Sequence, residues 1–262
     1  MSILIGCDPE VFVKNSAGEI VSGIGIIGGS KSRPRPVQDG TLQEDNVLAE
    51  IGIIPAASAD DFVLRITSVL NQLNAHLADW GLAFDISSSN YLDAGELMHP
   101  RAMEFGCEPD FTCYLPGVAN PRPQPNSTLR TAGGHVHIGY DTSTAVREDV
   151  VKACDILIGL PSIFLDGDIR RMQMYGSAGA YRPKEYGVEY RSPSNFWLRS
   201  EMLMRWVFQQ ATSAVSAATD GRFMQLALEH EGSIRSAIAT ADKGAGSNLL
   251  AIFGVEVPLT AA

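Results

Sequence analysis

Much of what this 262-residue chain could be is excluded by what its sequence lacks. Its four cysteines, Cys7, Cys107, Cys113 and Cys154, form no CxxC pair and no cluster, which excludes a zinc ribbon and a dense disulfide scaffold. Cys107 and Cys113 are read as small buried side chains rather than a bridge. No run approaches the ~20 apolar residues of a membrane helix, and no membrane partner is expected. The start, MSILIGCDPE, has no basic segment and meets an acid at Asp8, unlike a signal peptide, so a cytoplasmic protein is expected. Basic residues are scarce too. Lys and Arg number 20 against 30 Asp and Glu, giving a net charge of −10, the wrong sign for a nucleic-acid partner. Hydrophobic residues, at 45%, suffice for a full core and exclude disorder as the main state. A single domain over 1–262 is expected.

Residues 3–13 and 20–27 read as β-branched strands about a turn at Asn15–Gly18, and 47–54 as a strand ended by Pro55. The segment 28–40, GGSKSRPRPVQDG, reads as loop. From Ser58 the period changes. Phe62, Ile66, Val69, Leu70, Leu73 and Leu77 recur every three or four residues between a capping Ser58 and a stop at Gly81, which predicts an amphipathic helix. Shorter strands are expected near 82–88, 102–106, 111–115, 133–140 and 186–192, and helices near 144–160, 199–218 and 222–239. Strands and helices mix without a βαβ rhythm, so the expected class is α+β on a mostly antiparallel sheet.

Two motifs are set aside. Gly23-Ile-Gly25-Ile-Ile-Gly28 matches GxGxxG, but that fingerprint needs a helix opening at the glycines, and Gly29 to Pro36 cannot start one. GGSKS is no Walker A loop, because Ser30 rather than a glycine precedes the lysine; Lys31 is kept as a candidate phosphate contact. No Ser or Cys lies in a nucleophile elbow.

The chemistry sits in a recurring pair at i and i+2 within strand-like runs: Asp8 and Glu10, His135 and His137, Glu189 and Arg191. Alternate residues of a strand share a face. A solvent-facing strand alternates as well, but it mixes Lys, Thr, Ser and Gln, whereas these are the carboxylates and imidazoles that bind divalent cations. Glu50 adds another acid, and Glu44, six residues earlier, projects the same way if 44–50 stays extended. Five carboxylates brought together (Asp8, Glu10, Glu44, Glu50, Glu189) repel unless cations neutralise them, so a cation site on one sheet face is expected. Around Glu189 the chain is basic, with Arg170, Arg171, Arg182, Lys184, Arg191 and Arg199, which beside bound metal suits a phosphate ester. The Gly/Ala-rich segment Met172–Lys184 is read as a loop against phosphates, and Gly133-Gly134 as a close backbone approach that aims His135. His76 and His230 are read as structural or exposed.

Four blocks in order, GCDPEVF, DGTLQEDNVLAEIGIIPA, GGHVHIG and YGVEYRSPSNFWL, resemble the phage-associated carboxylate–amine ligases (amidoligase type 2), relatives of glutamine synthetase and glutamate–cysteine ligase. They span about residues 3–198. The resemblance implies a curved, mostly antiparallel sheet with helices on its outer face, as in the catalytic domain of glutamine synthetase. It implies ATP as a substrate, two or three Mg²⁺ ions (Mn²⁺ as an alternative), and amide formation between a small-molecule or peptide carboxylate and an amine. Asp8 and Glu10 would then ligate different ions, Glu44 and Glu50 completing that of Glu10, and His135 and Glu189 that of Asp8. Arg191 is similar to the arginine that faces the transferred phosphoryl group, assisted by Arg182 or Lys184, and His137 resembles a substrate- or phosphate-side histidine. The implied location is the cytoplasm of a bacterial host, and no oligomeric state is implied. In one departure, the first acid is Asp and Pro9 follows it, so the strand must lie at an edge or bulge there. Two other readings use the same residues: a phosphotransferase that stops at a phosphorylated product, and a non-catalytic, metal-stabilised structural or binding protein.

Overall fold

The computed structural model describes residues 2–103, 109–121, 128–166, 168–172 and 174–259. In chain order the strands are β1 (Leu4–Cys7), β2 (Glu10–Lys14), β3 (Ile20–Val21), β4 (Arg35–Val37), β5 (Gly40–Asp45), β6 (Leu48–Ile53), β7 (Ala83–Asp85), β8 (Ser89–Tyr91), β9 (Phe111–Thr112), β10 (Leu129–Thr131), β11 (Val136–Gly139), β12 (Ala180–Lys184) and β13 (Gly187–Tyr190). The α-helices are α1 (Ala59–Ala78), α2 (Arg147–Cys154), α3 (Leu160–Leu165), α4 (Ile169–Met172), α5 (Glu201–Ala217), α6 (Gly221–Glu229), α7 (Glu231–Thr240) and α8 (Lys243–Phe253).

Pro9 sets the architecture. It has no amide to give a ladder, and at Asp8-Pro9 the first strand breaks and changes partners: β1 pairs with β11, β2 with β6. The single strand expected over 3–13, at an edge or bulged at Pro9, is therefore two strands with Pro9 in the gap between them. One sheet runs β1-β11-β13-β12-β9, a second β3-β2-β6-β5-β4 with β7 also on β2, and β8 pairs with β10. Every one of these pairings is antiparallel. Backbone bonds cross the bend, from Glu10 N to Gly133 O (2.9 Å) and from Ile51 N to Pro9 O (3.0 Å), so the two sheets form one curled surface. The α+β expectation holds.

The helices cover one face of this surface. α1 packs on β5, β6 and β7, α2 on β12 and β13, and α5 on β1 and β11. Val136, Ile138, Val188 and Tyr190 are buried beneath them, and Phe62 stacks against Trp197 with ring centroids 6.0 Å apart. Fully burying such side chains is worth ~1.5–3 kcal/mol each. The alternate residues, His137, Glu189 and their neighbours, are left for the concave face. α1 follows its pattern closely: Ser58 Oγ accepts from Asp61 N (3.1 Å), all six periodic residues are buried, and Gly81 takes φ +68° just beyond the end.

Several elements differ from expectation. The strand expected at 20–27 stops at Val21, because Gly25, Gly28 and Gly29 turn with positive φ. The 28–40 segment contains β4, with Pro36 on an edge strand where its missing amide costs nothing. The second half of 172–184 is β12 rather than loop, held by its register with β13. The helix expected to end near 160 continues to Leu165 through a π-helical turn, Asp155–Gly159. The 222–239 helix is two, divided at His230, and α8 follows them unexpectedly; Gly244 and Gly246 weaken its local signal, while packing on α3 and α7 supplies its stability. Residues 102–103 end a 3₁₀ turn, and the rest of the strand expected at 102–106, together with Cys107, lies outside the described residues. Cys7, Cys113 and Cys154 are buried free thiols. Among the described residues no helix is long and apolar enough to cross a membrane.

Candidate active site

Register brings most of the polar pairs together. Gly6, His137, Glu189 and Arg182 form one cross-strand row of the five-stranded sheet. Asp8, His135, Arg191 and Lys184 each lie two residues from a member of that row and so project from the same face. Beyond the bend, Glu10 stands opposite Glu50, and Glu50 opposite Gln43. A cavity of about 530 Å³ opens on this face, with Asp8, Glu10, Glu50, His135, Arg182 and Arg191 in its wall.

Its acidic pole is Glu10, Asp45 and Glu50, which bring carboxylate oxygens within 4.8 Å of one another. Glu10 Oε2 accepts from Gly133 N (2.6 Å) and Glu50 Oε1 from Gln43 Nε2 (2.6 Å). Burial, with Asp45 adding to it, pushes Glu10 up to about 8. Burial and the charges of Asp8, Asp45 and Glu10 hold Glu50 well above the usual carboxylate range. Among the described residues no basic side chain lies within ion-pair distance of these three. With Glu10 buried, Glu50 half-buried, Asp45 exposed and no basic side chain within ion-pair distance, this clustered oxygen-only donor set fits a hard divalent cation.

The second group centres on Glu189, which is 1% exposed. Lys184 Nζ lies 2.8 Å from its Oε2 and Arg182 Nη1 3.3 Å from its Oε1, and Arg191 Nη1 pairs with Oε1 as well. Burial and Asp8 would raise this carboxyl, but Arg191, His135 and His137 outweigh them and bring it down to about 2. Asp8 lies 3.0 Å from His137 Nε2 and 3.3 Å from His135 Nδ1. Burial opposes its charge, yet the two imidazoles hold it well below the usual range. Burial and Arg191 lower the pKa of His135, whereas on His137 the attraction of Asp8 overcomes burial and raises it. Asp8, His137 and Glu189 also place ligand atoms within 4.8 Å, with His137 in the place expected of His135. Their charge is already balanced, so this set fits a cation only when the basic side chains take up another anion.

Glu44 does not join the acidic pole. β5 and β6 are joined by a two-residue turn, Asn46-Val47, which pairs Glu44 with Ala49 and Gln43 with Glu50. Parity changes across such a turn, so Glu50 shares its face with Gln43 and Asp45, not with Glu44. The Glu44 carboxylate instead accepts from Gly25 N (2.8 Å) and Gly28 N (3.2 Å) and meets Arg101 Nη1 at 2.7 Å. The glycines that imitate a dinucleotide loop thus bind an internal carboxylate, and no helix follows them. Glu44→Ala should therefore lower stability by ~1–3 kcal/mol through the stranded amides, leave Mg²⁺ affinity near wild type, and create no NADH binding. Calorimetric titration alongside thermal melts checks this; a loss of Mg²⁺ affinity matching that of Glu10→Gln would return Glu44 to the ligand set.

Elsewhere the placements are mixed. A Cβ on Gly133 would sit 2.3 Å from His135 Nε2, and one on Gly134 2.0 Å from Ser194 O, so the expected close approach is real. Lys31 is exposed at the cavity rim. His137 packs on Tyr186, with ring centroids 6.1 Å apart. Arg170 pairs with Asp168 (2.7 Å) and Arg199 with Asp166 (3.6 Å), outside the Glu189 group. His76 bonds Ile26 O (2.7 Å) and His230 packs edge-on against Phe253, both structural as expected. Sequence reasoning missed Asp45 and also Asp110, which meets Arg191 Nε at 3.4 Å. It also missed Arg130 in the cavity wall, where Arg171 of the basic segment and Tyr175 of the expected phosphate loop also lie. For Asp45, hairpin parity is readable only once the position of the turn is known, and for Asp110 and Arg130 no local signal exists.

Residues 124–249 match the model of a family described as phage phiEco32-like COOH.NH2 ligase-type 2. The chain is similar to a carboxylate–amine ligase family. The match includes β11, β12 and β13, and with them the His135–His137 and Glu189–Arg191 half of the face; Asp8, Glu10 and Glu50 lie before it. Among solved structures, a "novel glutamine synthase homolog" is similar with a TM-score of 0.38 and 10% identity, over 96% of this chain and 67% of that one. No curated protein matches the chain. Small-molecule substrates are what a ligase family of this kind implies.

Proposed function

We propose that the protein is an ATP-dependent carboxylate–amine ligase that activates an acid as its acyl phosphate and couples it to an amine. The observation that supports this most is one cavity with two unlike walls: the acidic pole of Glu10, Asp45 and Glu50, and Arg182 and Arg191, which meet on Glu189 together with Lys184. A triphosphate uses both. Glu10, Asp45 and Glu50 would hold Mg²⁺ or Mn²⁺, which supplies Lewis acidity and neutralises phosphate charge. A second ion at Asp8, His137 and Glu189 would require Arg182 and Lys184 to exchange Glu189 for phosphate oxygens.

Arg191 is half-buried and held between Glu189 and Asp110, so its guanidinium is in place before charge develops on the transferred group. The acid's carboxylate oxygen attacks the terminal phosphorus of ATP, and the bond to ADP breaks. The amine nitrogen then attacks the acyl carbon, phosphate leaves, and a carboxylate of the concave face takes the amine's proton. The partners are a small-molecule or peptide acid and an amine, handled by one catalytic domain over 1–262 in the cytoplasm.

The test screens amino acids, short peptides and polyamines with ATP and Mg²⁺, trapping acyl phosphate with hydroxylamine. Metal-dependent hydroxamate together with ADP is expected. ADP with a stable phosphorylated product and no hydroxamate would make the protein a phosphotransferase. No ADP with any acceptor would leave a metal-stabilised binding protein.

A further inference from the structure

One buried charge in the cavity wall has no part in the reaction just described. Arg171, on α4, is 3% exposed and lines the cavity. Its guanidinium donates to Ser192 O (2.6 Å) and Arg191 O (3.3 Å), and its Nε has no hydrogen-bond partner. Among the described residues no carboxylate lies within ion-pair distance of it. Three other arginines of the cavity do have carboxylates: Arg182 and Arg191 have Glu189, and Arg101 has Glu44. Carbonyls satisfy N–H groups but supply only partial charge, so a full positive charge withdrawn from water is left without an anion.

The guanidinium is also held still. Gly176, at φ +78°, passes so close that a Cβ there would lie 2.0 Å from Arg171 Nη1 and 2.5 Å from Ser192 O. With two carbonyls on one side and this glycine on another, the side chain cannot swing to Glu189. The opposite charge that acts on it most is that of Glu10, which a cation on the acidic pole would cancel. A fixed guanidinium in the cavity wall, each Nη of which has a second N–H beyond the one given to a carbonyl, offers charge and donors suited to an oxyanion.

We infer that Arg171 recognises a second anionic group on the acid substrate, so that the enzyme selects acids bearing a carboxylate or phosphate besides the carboxylate it activates. The inference rests on the ligase reading. The nucleotide already has its partners in that reading, namely the acidic pole with its cation and the movable side chains on Glu189. Arg171 is held by the carbonyls of Arg191 and Ser192, past the end of β13, and forms no ion pair with the carboxylates of either set.

The experiment titrates matched acids into the full chain with Mg²⁺ and a non-hydrolysable ATP analogue: propionate against succinate, butyrate against glutarate, and butyrate against 3-phosphonopropionate. Arg171→Met and Arg171→Lys are titrated in parallel. In the wild type at least one dianion should bind about tenfold or more tightly than its monoanion, as expected when a site's buried polar group is left unpaired by the lesser ligand. Arg171→Met should bring that ratio close to one without weakening the nucleotide analogue, and Arg171→Lys should keep part of it, having the charge without the fork. An unchanged ratio in Arg171→Met would overturn the assignment. So would a wild type with no preference in any pair, or a loss that falls on the nucleotide. If Arg171→Met proves unfolded by circular dichroism, Arg171→Lys decides, an unaltered ratio again counting against the assignment. These are equilibrium measurements, so failure of the ligase reading would appear separately, as absence of hydroxamate.

Discussion

Arg191→Ala is expected to lower turnover by about 10²–10³-fold, the usual cost of one preorganised donor, while Mg²⁺–ATP affinity stays near wild type. On the proposed ligase reading, the triphosphate would find its counter-charge in the cation held by the acidic pole and in Arg182 and Lys184. Arg191 is instead locked between Glu189 and Asp110, so its interaction strengthens only as charge shifts onto the transferring group. An interaction of that kind appears in kcat rather than in binding. The fold should survive, because Glu189 keeps Arg182 and Lys184 as partners and is not stranded. Arg170→Ala is the control, since its guanidinium is committed to Asp168 away from the Glu189 group. Hydroxamate formation at saturating ATP, with calorimetry for nucleotide affinity, measures both quantities. A variant that turns over a confirmed substrate at the wild-type rate would make Arg191 a structural strand residue.

Glu10→Gln should act in two opposite directions: higher stability without divalent cation and a severe loss of Mg²⁺ affinity. Burial and Asp45 raise Glu10 from the ordinary 4.5 to about 8 in the folded state. The folded protein therefore binds more protons than the unfolded chain between those values, and stability falls as pH rises through that window. Glu50, shifted in the same direction, steepens the fall. A divalent cation removes the repulsion, so its affinity should rise over the same window as the proton is displaced. Thermal midpoints with chelator should decline from pH 4.5 towards 8 in the wild type, decline less in Glu10→Gln or Glu50→Gln, and respond to Mg²⁺ at the alkaline end only in the wild type. A metal-free midpoint that rises with pH across that range would mean the acidic pole has a counter-charge that its geometry does not reveal.

Local rules carried the sequence reading as far as single elements and single faces. The period from Phe62 to Leu77 and the cap at Ser58 need no tertiary partner to be read, because helix geometry alone dictates them. The same holds for the i, i+2 pairs. Alternation belongs to a strand wherever it lies, so Asp8 with Glu10, His135 with His137 and Glu189 with Arg191 were legible as shared faces, whereas Pro9 was legible as an edge or bulge but not as the point where the first strand changes partners. The family match over 124–249 agrees with the blocks that carried the resemblance there.

Which faces meet was a different matter. Asp45 rather than Glu44 stands beside Glu50 because a two-residue turn reverses parity, and six residues of sequence do not reveal where the chain turns. β12 reads as a Gly/Ala loop because its strand character comes from register with β13, and that register is what sets Arg182 and Lys184 on Glu189. Local charge density could not sort Arg170 and Arg199, which leave the Glu189 group, from Arg182, Lys184 and Arg191, which form it. Arg171 resembled any other arginine until a fold with Gly176 against it buried the charge beside a cavity and left it without a carboxylate. Periodicity and residue chemistry act within one segment and are readable there. Counter-charges and burial are set between segments far apart in the chain, and only the tertiary structure decides them.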